Sequence, residues 1–375
     1  MKKLYLLLLL LTQFSCIGKA QESRILQGQP IDSIQSDTLT LLFAGDLMQH
    51  TGQIDAARTR NGYDYSSYFK YIKSEIGRHD FAIGNLEVTL GGKPYTGYPA
   101  FSAPDEYLTA IKEAGFNVLL TANNHSLDRR KKGLERTIQL LDSLRIPHIG
   151  TYINSKERER KSPLILEKKS FKVALLNYTY ATNGIPVTAP NIVNYIDTTV
   201  IAEDIALCKT KNTDAIIACM HWGIEYQSLP SKEQKMLADW LLQKGVTHII
   251  GSHPHVVQPM EVRQDSVTGN KHLVVYSLGN FVSNMSVRRT DGGIMVRMEL
   301  VKDSTTRLSD CGYSLVWVAR PAKTGWKNHS IIPIGLPIDS LSNHARNSLN
   351  IFTNDTRSLF NKHNKGIKEY ILNSK

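Results

Sequence analysis

Short apolar runs and amphipathic stretches alternate through most of the chain. Residues 40–44, 81–83, 118–120, 173–176, 215–218 and 248–250 are consecutively apolar or nearly so, the pattern of strands buried on both faces. Between many of them the period lengthens to that of a helix. Residues 104–114 open on Pro104 and close before Gly115, the asymmetry expected of a helix. Across residues 133–144, Leu134, Ile138, Leu141 and Leu144 recur at three- and four-residue spacing and define one apolar face. Ser231 and Gln234 make a capping-box signature ahead of residues 236–244, and Gly245 supplies the stop. Alternating strands and helices predict an α/β layered domain.

After about residue 260 the pattern changes to strand, turn, strand, with strands expected at 272–276, 293–300 and 312–318. A second sheet packed on the first, or a β-rich C-terminal part, would produce it. No linker interrupts residues 38–300, so one domain followed by an extension over 301–375 is expected. Residues 302–375 carry no readable motif.

The N-terminus reads differently. Met1-Lys2-Lys3 precedes eight mostly leucine residues, 4–11, too short for a bilayer span of about 20 residues but suited to a secretory signal. Gly18 and Ala20 place small residues for cleavage after Ala20, followed by a polar linker over 21–37. The competing expectation is a lipoprotein acylated at Cys16. Either way the chain is expected to be exported to the periplasm or cell envelope.

Composition adds two constraints. With 41% hydrophobic residues in 375, the chain can bury an ample core, which excludes disorder and collagen. Of the four cysteines only Cys208, Cys219 and Cys311 survive cleavage. That odd number argues against a disulfide framework. The formal charge is +11, and losing Lys2, Lys3 and Lys19 with no acid lowers it to +8. Such a surplus favours anionic partners. Nucleic acid is not expected, because no recognition module and no basic–aromatic interleaving is present.

Polar groups collect where the predicted strands end, which is where α/β folds bind ligands. Asp46, Asn85 and Glu87, then Asn123, Asn124 and His125, then His221, then His253 and His255, each follow an apolar run. Taken singly, each could be a turn or cap residue. Together they suggest a metal or phosphate site. His253 and His255 flank Pro254, and in an extended segment would point the same way; with carboxylate and amide oxygens they suit Zn, Mn or Fe. Asp128 lies three residues past His125, and Arg129-Arg130-Lys131-Lys132 follows. This run is either a solvated face or a guide for an anionic substrate. Residues 277–281 bring Asn280 to the same edge or form a turn, and residues 91–101 make a Gly/Tyr/Pro-rich loop suited to a lid.

Six segments, GDLM at 45–48, NLE at 85–87, ANNHSLD at 122–128, HWGIEY at 221–226, GSHPHV at 251–256 and SLGNF at 277–281, resemble in order the motifs of the CapA family of poly-γ-glutamate capsule synthesis proteins. The resemblance covers about residues 38–285. It implies a four-layer αββα sandwich of calcineurin-like metallophosphoesterase type and a role in making or exporting an envelope polymer. It further implies one or two divalent ions on Asp46, Asn124, His221, His253 and His255, with Glu87 as the nearest bridging carboxylate. His125, held by Asp128, would face the leaving group; Arg129, Arg130 and Asn280 would meet an anionic polymer or phosphorylated substrate. A membrane-bound polymer synthase is an expected partner. Two positions depart from the phosphoesterase pattern: Met48 replaces the histidine of Asp-x-His, and Asn85 replaces the bridging aspartate. A phosphatase or phosphodiesterase on another envelope substrate, or a non-catalytic polymer-binding scaffold, are the rival expectations.

Overall fold

The structure, a computed structural model, describes residues 37–372. The signal segment, Cys16 and all but the last residue of the 21–37 linker lie outside the described residues. Among those described, no helix is long and apolar enough to cross a membrane.

Two sheets stack face to face. In the first, Asp37–Leu47 is central. Phe81–Leu86, Val118–Leu120 and His148–Ile149 follow it in parallel on one side, and Gly292–Lys302, Thr306–Ala319 and Ser330–Pro333 run antiparallel in succession on the other. The second places His248–Ser252, Ala215–His221 and Phe171–Thr179 in parallel beside Lys271–Leu278, with Val257–Gln264 and Leu164–Lys168 as antiparallel edges.

Strand side chains alternate between faces, and this alternation builds the layers. Leu39, Leu41 and Phe43 point inward to meet Val173, Leu175 and Ile217 of the second sheet. Leu42 and Ala44 point outward against Tyr107, Leu108 and Ile111 of the helix Asp105–Glu113. On the far side, Ala174, Leu176 and Ile216 pack on Ile201 and Ile205 of Thr198–Thr210 and on Ala238 and Leu241 of Lys232–Lys244. The result is the expected four-layer αββα sandwich.

Local signals explain the helix ends. Ser231 accepts from the Gln234 amide, Gln234 returns to the Ser231 amide, and Gly245 closes the helix at φ +107°. The helix expected from residue 133 begins at Arg130, because its first turn is exposed or half-buried and apolar spacing cannot register it. The strands after residue 260 do not make a sheet of their own. Lys271–Leu278 joins the second sheet, whereas Gly292–Lys302 and Thr306–Ala319 widen the first. Beyond them, Phe352 and Phe360 of the helix Asn343–His363 enter the core between the sheets.

Candidate metal centre

The parallel registers bring the strand ends together. Asp46 is opposite Asn85 on one side and Asn280 on the other, and His221 is opposite both Thr179 and Ser252. A close approach fixes this edge: the Asp46 amide donates to Gly279 O over 3.0 Å, and a Cβ on Gly45 would lie 1.9 Å from that oxygen.

Five of the expected ligands converge. Within 4.8 Å of one another lie donor atoms of Glu87, His221 and His253, and likewise of Asp46, Glu87 and His255. Glu87 Oε1 is 3.6 Å from His221 Nε2 and 3.8 Å from His255 Nε2, and Asp46 Oδ2 is 3.4 Å from His255 Nδ1. Asn124 joins them, its Oδ1 2.8 Å from His221 Nε2. Two donors bound to one ion at 2.0–2.2 Å would themselves be about 3 Å apart.

Glu87 is common to both clusters. Asn85 donates its Nδ2 to Asp46 Oδ1 over 2.8 Å and lies 3.3 Å from His221 Nδ1, so it orients two of the expected ligands.

The electrostatics of these groups are ones that a cation would relieve. Burial, with Asp46 adding to it, pushes the Glu87 carboxyl well above the usual range. Burial, with His253 and His255 adding, holds His221 well below its ordinary value, and burial lowers His253 to about 3. Neutral imidazoles are lone-pair donors. Asp46 Oδ2, both Glu87 oxygens and His253 Nδ1 are buried with no hydrogen-bond partner among the described residues, an expensive arrangement unless a cation satisfies them. The residues therefore fit a divalent ion with a mixed N/O shell.

The His253-Pro254-His255 segment is not extended. His253 has φ +102° and His255 φ +58°, so a turn, and not strand alternation, aims both rings at the centre. Met48 is buried among Leu86 and Tyr107 in the apolar layer outside the first sheet and offers nothing to the centre. His125 Nδ1 lies 2.7 Å from Asp128 Oδ2, as the spacing suggested. Asp128 Oδ2 also accepts the Phe101 amide, and the Phe101 ring packs edge-on against His125 at 4.6 Å. Burial raises the Asp128 carboxyl, opposed by its bond to His125.

The three expected substrate contacts lie as follows. Asn280 is fully buried; its Oδ1 lies 3.1 Å from His255 Nδ1 and its Nδ2 donates to Thr290 O, so it holds the ring of an expected ligand. Arg129 donates to Pro94 O over 2.9 Å and pins the loop 91–101. Arg130 is exposed in the first helical turn. Neither arginine bonds a site side chain among the described residues.

Sequence reasoning missed Glu225, which clusters with His253 and His255. Its signal was its place in the HWGIEY segment. It also missed Tyr180, whose ring lies 4.5 Å from that of His253. His50 was missed too. It packs edge-on against Phe101, with ring centroids 5.2 Å apart, and burial lowers it to about 4.

Known proteins place the chain. It is 29% identical over 294 residues to the capsule biosynthesis protein CapA of Bacillus anthracis, covering 75% of this chain and 68% of that one. It is 26% identical over 310 residues to the PGA biosynthesis protein CapA of Bacillus subtilis, covering 80% and 76%. Among solved structures, it is similar to the NAD nucleotidase NadN of Haemophilus influenzae at 10% identity and TM-score 0.48, over 86% of this chain and 61% of that one. Another is the calcineurin-like phosphoesterase YfkN of Bacillus subtilis, at 15% identity and TM-score 0.44, over 86% and 98%. Residues 40–285 match the bacterial capsule synthesis protein family PGA_cap, and the chain belongs to that family, the CapA family.

Proposed function

We propose that this protein is exported and acts in making or exporting an anionic capsule-type polymer of the poly-γ-glutamate kind, through a divalent-metal centre at the joined sheet edge. The convergence of Asp46, Glu87, Asn124, His221, His253 and His255 with unpartnered buried donor atoms carries this reading; the capsule names of its relatives supply the polymer class. Manganese, zinc or iron, as one ion or two, suits the donor set.

When bound, such an ion lowers the pKa of a water and polarises a carbonyl or phosphoryl oxygen. The chain's own groups do the rest. Asp128 holds His125 Nδ1, leaving Nε2 to hand a proton to a leaving group. Phe101 fixes the ring from the side. Tyr180 packs its ring beside that of His253. Export through residues 1–20, with anchoring at Cys16 as its variant, would place the site in the periplasm or envelope beside a membrane-bound synthase.

A non-catalytic polymer-binding scaffold is favoured by one observation, the burial of Met48 away from the centre. Metal content measured together with turnover of a γ-glutamyl oligomer and of a generic phosphodiester separates the readings. Tight metal with γ-glutamyl turnover supports the proposal. Phosphodiester turnover alone supports a phosphodiesterase, and metal with neither turnover supports the scaffold.

A further inference from the structure

The chain turns sharply after the strand Phe171–Thr179. Asn183 and Gly184 hold φ +50° and +73°, and the Ile185 amide donates to Thr182 O over 2.9 Å, the signature of an Asn-Gly turn of type I′. Its base is anchored. Thr182 is buried, donates its hydroxyl to Ile185 O over 2.7 Å and lies 2.7 Å from the Tyr195 hydroxyl. Tyr195 in turn bridges to Thr179 at the strand end. The second sheet thus carries a braced turn to the metal edge.

Turn chemistry explains an asparagine at 183, which tolerates a left-handed backbone. It does not explain where the side chain goes. Asn183 Oδ1 accepts from Asn124 Nδ2 over 3.1 Å, while Asn124 Oδ1 lies 2.8 Å from His221 Nε2, on the side of the centre. Asn183 Nδ2 is 3.4 Å from His125 Nδ1. That nitrogen already donates to Asp128 Oδ2 at 2.7 Å and so offers Asn183 no acceptor. The bond from Asn183 to this pair is therefore the one through its oxygen. The two ends of an amide are unlike: the oxygen can ligate a cation, and the nitrogen only donates. Asn124 is buried. Flipping its amide would turn a donor towards the ion and set its oxygen against Asn183 Oδ1, two acceptors with no hydrogen between them.

We infer that Asn183 is a positioning residue of the metal centre, its side-chain oxygen holding the Asn124 amide with Oδ1 turned to the ion. The inference rests on the metal-centre reading above and makes a turn of the second sheet responsible for a ligand that follows a strand of the first. Outer partners of this kind are commonly worth about 10- to 100-fold in metal affinity. Asn183 is exposed, where water competes for the same bond, so the lower end of that range is expected.

The test is chelator competition with manganese and with zinc, each supplied alone to the metal-free full chain. Glycine adopts a positive φ freely, so Asn183→Gly removes the side chain and spares the turn. It should weaken metal binding about 10-fold at an unchanged melting temperature. Asn183→Asp keeps an acceptor for Asn124 and should bind at least as tightly as the parent. In an Asn124→Ala background, Asn183→Gly should change affinity by less than about twofold, because its partner is already gone. If the parent binds metal and Asn183→Gly binds it within twofold of the parent, the inference is overturned and the metal centre stands. Equal losses in Asn183→Gly and Asn183→Asp, or a further loss in the Asn124→Ala background, also overturn it, since the side chain would then act other than through Asn124. A parent that takes up neither ion overturns the metal centre and this inference together.

Discussion

Asn85 donates its side-chain amide to Asp46 Oδ1 over 2.8 Å, so the residue standing where a bridging aspartate was expected instead aims a ligand. The same nitrogen lies 3.3 Å from His221 Nδ1, tying a ligand of the first sheet to one of the second. Removing such an outer partner commonly costs 10- to 100-fold in metal affinity. Asn85→Ala should therefore weaken metal binding by about that factor, measured by chelator competition. An unchanged affinity would show that Asp46 and His221 hold their orientation without it.

His125 and Asp128 predict a different signature. Neither belongs to the clusters of metal-ligating groups, so His125→Gln should keep its metal and lose turnover of the γ-glutamyl oligomer by about 10²- to 10⁴-fold. Asp128→Asn should keep metal as well and shift the pH profile of turnover, since the carboxylate 2.7 Å away fixes the His125 tautomer. Loss of metal in either variant contradicts these roles.

Much of this was legible in the chain. The consecutive apolar runs marked the buried parallel strands, and polar residues just past them marked the edge where Asp46, Glu87, His221 and His253 meet. What stayed hidden depends on long-range geometry. The strands after residue 260 divide between two sheets, and local alternation carries no information about which partner a strand will choose. His253 and His255 reach the centre through two left-handed residues, a backbone state that apolar and polar spacing does not encode. Glu225 and Tyr180 come to the site from loops after the Ala215–His221 and Phe171–Thr179 strands, with no period to reveal them.

Gly45 carries a stability prediction. Its missing side chain lets the Gly279 carbonyl approach and accept from the Asp46 amide. Gly45→Ala must push the two backbones apart and should cost about 3 kcal/mol, read as a lower urea midpoint at unchanged slope. A midpoint equal to the parent's would mean that this edge yields without strain.

His248 sets a pH dependence far from the centre's chemistry. It is buried, it accepts the Leu273 amide at Nδ1 over 3.0 Å, and burial, with His272 adding, lowers it to about 3. The unfolded chain, near 6.5, binds the proton more readily between those values. The contribution is thus complete above about pH 6.5 and is lost as pH falls towards 3, by about 2 kcal/mol at pH 5. His248→Asn keeps an acceptor for Leu273 and does not titrate, so its stability should fall less than the parent's between pH 8 and pH 5. Equal losses would remove His248 from the account.

The most direct measurement is metal per chain, by plasma mass spectrometry, in the parent, Glu87→Gln and His255→Ala after dialysis against a weak chelator. The account predicts one or two equivalents of manganese, zinc or iron in the parent and loss of at least one equivalent in each variant, because Glu87 lies between His221 and His255. Full metal in both variants, or none in the parent after metal is supplied, would contradict it.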